Sequence, residues 1–214
     1  MSGKFTKIPT NTFNNLQTDA GVLLKSFDPK NPKLVDGDIL CATTGGIGAS
    51  CVPTYFDMGE DIDNCPNGML ELMEVSGWDC KLSFTSISVN PSVTKLSLGA
   101  SDIDAESGTA IKVTPRKTLT EEDFTDVWWV GDTKAGGMVA VHLMHALSTG
   151  GFSLQTTKNG KGQLAIELSG HVSIEAQDVV PMEFYFAGSG AIGTQGTGAG
   201  ENIPAEPETE QTEE

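Results

Sequence analysis

The sequence predicts a mainly β protein: an antiparallel β-sandwich or barrel of about eight strands with one short flanking α-helix. Three observations carry this. Segments such as residues 164–174 alternate apolar and polar side chains with a period of two. Turn-forming Gly, Pro, Asn and Asp recur at short intervals between those segments. The best helical stretch, "NPSVTKLSLGA", is only a few turns long. With 214 residues, 38% of them apolar and 7% aromatic, the chain can build one main core. We divide it into an N-terminal arm (1–18), a β-sandwich domain (19–187) and a Gly-rich acidic tail (188–214).

In chain order, residues 1–18 are polar and weakly patterned, as in an extended arm. "AGVLLKSFDP" reads as a strand stopped by Asp28-Pro29, and "NPKLVDGDILCATTGG" as a turn leading into a second strand. Residues 45–66 hold four Gly, two Pro and several acids without a period, so they read as a long loop available for interaction. "NGMLELMEV" suggests a helical turn. In "WDCKLSFTSISV", Cys80, Leu82, Phe84 and Ser86 oppose Lys81, Ser83, Thr85 and Ile87, as in a strand.

Asn90 or Ser92 can cap the helix, Pro91 suits its first turn and Gly99 ends it. "ESGTAIKVTPR" reads as a strand, "LTEEDF" as a helical turn, and "DVWWVGD" as a strand with Trp128 and Trp129 on opposite faces. "GGMVAVHLMHAL" sets Val139, Val141 and Leu143 against Ala140, His142 and Met144. A hairpin through Asn159-Gly160 follows. "VPMEFYFA" closes the domain with Met182, Phe184 and Phe186 on one face and Glu183 and Tyr185 on the other.

The formal charge is −16, and without the six Glu of the last fourteen residues the chain still carries 23 acidic and 13 basic residues. Such a surface repels a phosphate backbone, which disfavours ordinary DNA or RNA binding. No stretch approaches the roughly 20 apolar residues of a membrane span, and the first residues lack a signal-peptide core, so synthesis in the cytoplasm is expected. Cys41, Cys51, Cys65 and Cys80 fit neither paired zinc-ligand spacing nor a dense disulfide framework; they read as buried free thiols, with a Cys51–Cys65 bridge as the alternative.

Chemistry-bearing motifs are weak. "TTGGIGAS" and "NGKG" lack the spacing of phosphate-binding loops. "DMGEDIDNC" lacks the sixth-place Gly and twelfth-place Glu of a helix–loop–helix calcium site. His142 and His145 lie on a strand where odd and even positions face opposite ways, so they are not expected to share a metal. No catalytic, cofactor or metal residues are assigned and no enzyme activity is expected. The remaining feature is a wet face, Glu167, Ser169, His171, Ser173 and Glu175, set against apolar Leu164, Ile166, Leu168, Val172 and Ile174. With no chemistry assigned to that wall, sheet edges available to join other sheets make self-assembly the economical reading.

The segments "DAGVLLKSFDP", "DILCATTGGI", "CVPTYFDMGEDIDNCP", "GWDCKLSFTSISV", "DVWWVGD", "LSTGGFSLQTTKNGKGQLAIELSGHVSI" and "VPMEFYF" make residues 15–187 resemble the major tail protein of long-tailed bacteriophages and prophages of Gram-positive hosts. The tail after Ala187 departs from that pattern. The resemblance implies a sandwich or barrel with a flanking helix, hexameric rings stacked into a hollow tube, no active site, and DNA that transits without specific binding. It also implies tape-measure and terminator proteins as partners and residence in the virion tail. On that reading the wet face is a candidate lining of the channel. A monomeric or surface-displayed binding module, or a capsid decoration protein, is the alternative.

Overall fold

The computed structural model describes residues 8–9, 12–104 and 110–188, and among them the chain forms ten strands and one α-helix. Strands β1 (Gln17–Leu24), β6 (Thr125–Thr133), β7 (Met138–Ser148) and β10 (Met182–Ala187) make one antiparallel sheet in the order β1-β6-β7-β10. Strands β2 (Thr43–Asp57), β3 (Met73–Ser86), β9 (Gln163–Ser169) and β8 (Ser153–Gln155) make the second, in the order β2-β3-β9-β8. β4 (Ser101–Asp104) and β5 (Lys112–Pro115) form a separate hairpin beside α1 (Pro91–Leu98).

The two sheets share β7. Its first part lies between β6 and β10, while Leu147 and Ser148 pair with Ser169 and Leu168 of β9. The change of sheet occurs at His145, whose φ of 47° is left-handed, opposite a register shift in β6 between Thr125 and Val127. A bulge of this kind bends a strand sharply. Asp126 holds the bend by accepting the His145 backbone N–H at 2.9 Å.

The main core lies between the sheets. Leu23, Val127, Val141, Leu143 and Met182 meet Cys80, Leu82, Phe84, Leu164, Ile166 and Leu168, and Val93 of α1 closes one end. The helix starts where the sequence places it, with the Val93 N–H donating to Asn90 Oδ1 at 2.8 Å and Gly99 taking φ 70° at the other end. A second apolar cluster covers the outer face of the first sheet. There Trp128 stacks on His142 at 3.9 Å and packs against Phe27 and Tyr185, while Trp129 faces the main core. The two tryptophans do point to opposite faces, as the alternation requires.

Four expectations need correction. Residues 45–57 are strand, not loop: β2 pairs with β3 from Thr43↔Ser86 to Asp57↔Met73, interrupted after Thr44 by a bulge at Gly45 and Gly46 with φ of 78° and 85°. Pro53 is tolerated because β2 is an edge strand and its missing N–H breaks no ladder on the open side. Secondly, β9 ends at Ser169, so His171, Ser173 and Glu175 lie beyond the strand. Gly170 turns the chain where a Cβ would meet Leu143 Cδ1 at 2.7 Å and Pro181 O at 3.0 Å. Val172 is exposed and Ile174 is 84% exposed, so the apolar face stops at Leu168.

Thirdly, β1 begins at Gln17, two residues inside the segment assigned to the arm. Fourthly, Asn159 and Gly160 sit in a seven-residue connection between β8 and β9; Asn159 adopts φ 59° and the Gly160 N–H donates to Thr157 O at 3.1 Å. Half of the arm (1–7, 10 and 11) and, apart from Gly188, the acidic tail lie outside the described residues.

Candidate functional site: an uncovered hairpin arm and an open sheet edge

Residues paired across an antiparallel ladder point to the same face, and successive pairs alternate. The Ala49↔Leu82 pair places a buried Leu82 in the core, and the Cys51↔Cys80 pair lies at its margin, with Cys80 buried. Beyond it, β2 and β3 leave the second sheet's other strands behind, since β9 pairs with β3 only from Lys81 to Ser86. Residues 51–57 and 73–80 therefore form a two-stranded arm.

One face of this arm continues the row that began with Cys51 and Cys80. A β3 bulge at Ser76 leaves Pro53↔Trp78, Tyr55↔Val75 and Asp57↔Met73 as the subsequent pairs. Trp78, Val75, Met73 and Tyr55 are 41–61% exposed, the last being the most open. At the tip, Met58, Ile62, Met69 and Leu70 are also exposed. Scattered exposed apolar residues need no explanation, but a contiguous apolar row does.

The tip is built around Asp57, whose carboxylate accepts the Gly59 and Gly68 N–H groups at 2.8 Å each. Those bonds hold its carboxyl below the ordinary value, the Gly68 N–H contributing most. Both oxygens are thus engaged by backbone, which gives this acid a structural task in place of cation binding. Among the described residues no three His, Cys, Asp or Glu side chains converge as a metal site would require.

The first sheet has a corresponding bare strip at β10. Phe184 pairs with Val141 and Phe186 with Val139, which puts both rings on the core-facing side. Val141 is buried, yet Phe184 is half-exposed and Phe186 is 76% exposed, because the second sheet does not reach this edge. The predicted face of Met182, Phe184 and Phe186 is real, but only Met182 is inside the core. Among the described residues β10 is also an edge strand with one side unpaired.

The wet-face residues divide. Glu167 lies on the outer surface of the second sheet, paired with Ser83; its carboxylate accepts the Thr149 hydroxyl at 3.2 Å and lies 3.9 Å from Lys81 Nζ. Ser169 ends the same strand. His171 instead contacts the His145 carbonyl oxygen through Nδ1 at 3.3 Å and meets Phe124 edge-on. Ser173 caps a 3-10 turn that contains Glu175. Beside Glu167 the outer surface forms a shallow groove of about 650 Å³ lined by small side chains, among them Gly48, Ser83 and Ala165.

The histidines also separate. His142 lies between Asp126 and Glu183, 3.4 Å from each carboxylate, whereas His145 occupies the bend of β7. The sequence pattern missed Trp78, Tyr55 and Val75 as a unit. The available signal was the opposition of "CVPTYFD" to "MEVSGWDC" about a shared Cys pair. No protein-family model matches the chain, and no curated protein matches it in sequence.

Proposed function

We propose that the chain is a structural subunit that assembles with copies of itself, as its resemblance to the tail-tube proteins of long-tailed phages implies. The carrying observation is the pair of uncovered apolar strips, one on the arm and one on β10, each on the core-facing side of its sheet. An arm laid over the β10 strip of a neighbour would complete that neighbour's sandwich. Because the two surfaces differ, the contact is head-to-tail, and such contacts close into rings or continue as filaments. Hexameric rings stacked into a tube, DNA passing through without specific binding, tape-measure and terminator partners, and a place in the virion belong to the same reading.

The acidic body supports it, since a conduit should not grip what passes through. The test is electron microscopy and analytical ultracentrifugation of the purified full chain over a range of concentrations. Rings or tubes are expected. A chain that stays monomeric at several hundred micromolar overturns the proposal in favour of a monomeric binding module.

A further inference from the structure

The root of the arm carries a second chemistry. Cys51 and Cys80 are directly opposed across β2 and β3, and their Sγ atoms are 3.0 Å apart. All four cysteines are free thiols: Cys41 and Cys80 are buried, Cys51 and Cys65 half-buried. Cys65 is no partner for Cys51, contrary to the alternative weighed from sequence. It sits in the tip beyond the Asp57↔Met73 pair, six residues along β2 from Cys51, or about 20 Å at the rise of a strand. Its Sγ is instead 3.6 Å from Met69 Sδ.

We propose that Cys51 and Cys80 are a reversible thiol–disulfide pair that staples the arm where it leaves the core, closed by exchange with a small-molecule disulfide. The Cys51 thiolate, reachable from solvent, attacks one sulfur of the reagent and releases one reagent thiolate. The Cys80 thiolate then attacks Cys51 Sγ in the mixed disulfide and releases the second. Two protein thiols are oxidised, the reagent disulfide is reduced to two thiols, and the protein's two thiol protons end on those products. Opposed strand positions place Cβ atoms about 4.5–5.5 Å apart, close to the 3.5–4.5 Å a disulfide spans, so closure needs only a small local adjustment. The bond would be open in a reducing compartment and closed in an oxidising one.

Burial sets the rate. It pushes the Cys80 thiol up to about 12, with the Cys51 hydrogen bond and nearby charge adding to the effect. In the mixed disulfide Cys51 no longer contributes, but the burial of Cys80 still disfavours its thiolate, so the second step is the slower one and its rate should rise with pH as the thiolate fraction grows.

The pair is independent of the assembly proposal, because its test follows thiols and not particles. The reduced full chain is incubated with glutathione disulfide, quenched with acid, alkylated and mapped by peptide mass spectrometry without reduction. The expected product is a Cys51–Cys80 linked peptide, with Cys41 and Cys65 alkylated. In a Cys51→Ser variant, which alters only the half-buried partner, Cys80 should remain a thiol. A Cys51 that stops as its glutathione adduct, a Cys51–Cys65 link, or a chain that keeps all four thiols would each overturn the inference.

Discussion

Replacing Tyr55 with Ser removes the most exposed ring of the arm's apolar row, and its effect on association should exceed its effect on folding. A tyrosine can bury about 200 Å², and Tyr55 is 61% exposed, so about 120 Å² remains for a partner to cover. At about 25 cal/mol per Å² that is worth about 3 kcal/mol of association per contact, or more than a hundredfold in the concentration needed to assemble. The portion already covered within the subunit is about 80 Å², which caps the folding loss near 2 kcal/mol and overstates it, because an unfolded chain also hides some surface. Sedimentation velocity over a concentration series reads the first quantity. Urea unfolding of both proteins, diluted until monomeric, reads the second. A variant that unfolds close to wild type yet assembles at the same concentration would refute the assignment of the arm as the contact.

Three further outcomes follow from particular contacts. Gly21→Ala should lower the melting temperature by about 5 °C or more, because Gly21 takes φ 69° and an added Cβ would lie 2.5 Å from Val130 O; a scanning calorimeter checks it. Asp123 is buried; burial alone would raise its carboxyl, but the Thr120 N–H, the Arg116 guanidinium and the Thr120 hydroxyl outweigh that and hold it below the ordinary value. Its stabilisation is therefore present above the unfolded value of about 3.9 and is lost as pH falls through the folded one, so the difference in urea-unfolding free energy between wild type and Asp123→Asn, roughly 2 kcal/mol at pH 7, should close as the pH drops below about 4. Glu167→Lys sets a second cation beside Lys81 on the outer face of the second sheet; if that face lines a channel, assembled particles should retain short duplex DNA at 50 mM salt and release it at 300 mM, and no retention at either salt would put the face elsewhere.

What the sequence made legible depended on whether a segment buries one face within its own chain. β9 alternates because Leu164, Ile166 and Leu168 are fully inside while Glu167 is out, and α1 is marked by Asn90, Pro91 and Gly99 at its ends. β3 could be read from Cys80 to Ser86 for the same reason, and became unreadable from Met73 to Asp79, where both faces are only partly covered. Its partner β2 failed as a pattern throughout the arm, since a strand open on both sides has no internal reason to alternate. The end of β9 was hidden for a different cause. Gly170 stops the strand through its closeness to Leu143 and Pro181, residues remote in sequence. The exposure of Phe184 and Phe186 could not be read either, because it depends on how far the second sheet extends and not on their own alternation.

Two opposing properties of the subunit then set how its association should respond to salt. The arm and the β10 strip offer apolar surface, which favours contact and is little affected by simple salt at moderate concentration. The body carries a large negative charge, −16 for the full chain, so two copies repel before those strips can meet. At 10 mM ionic strength that repulsion reaches about 30 Å, and at 1 M only about 3 Å. If the strips make the contact, raising sodium chloride from 20 mM to 0.5 M should strengthen self-association, lowering the assembly concentration measured by light scattering. An interface built on ion pairs would behave in the opposite way and weaken as salt rises. Weakening with salt would therefore reject the apolar strips as the source of assembly even if rings or tubes form.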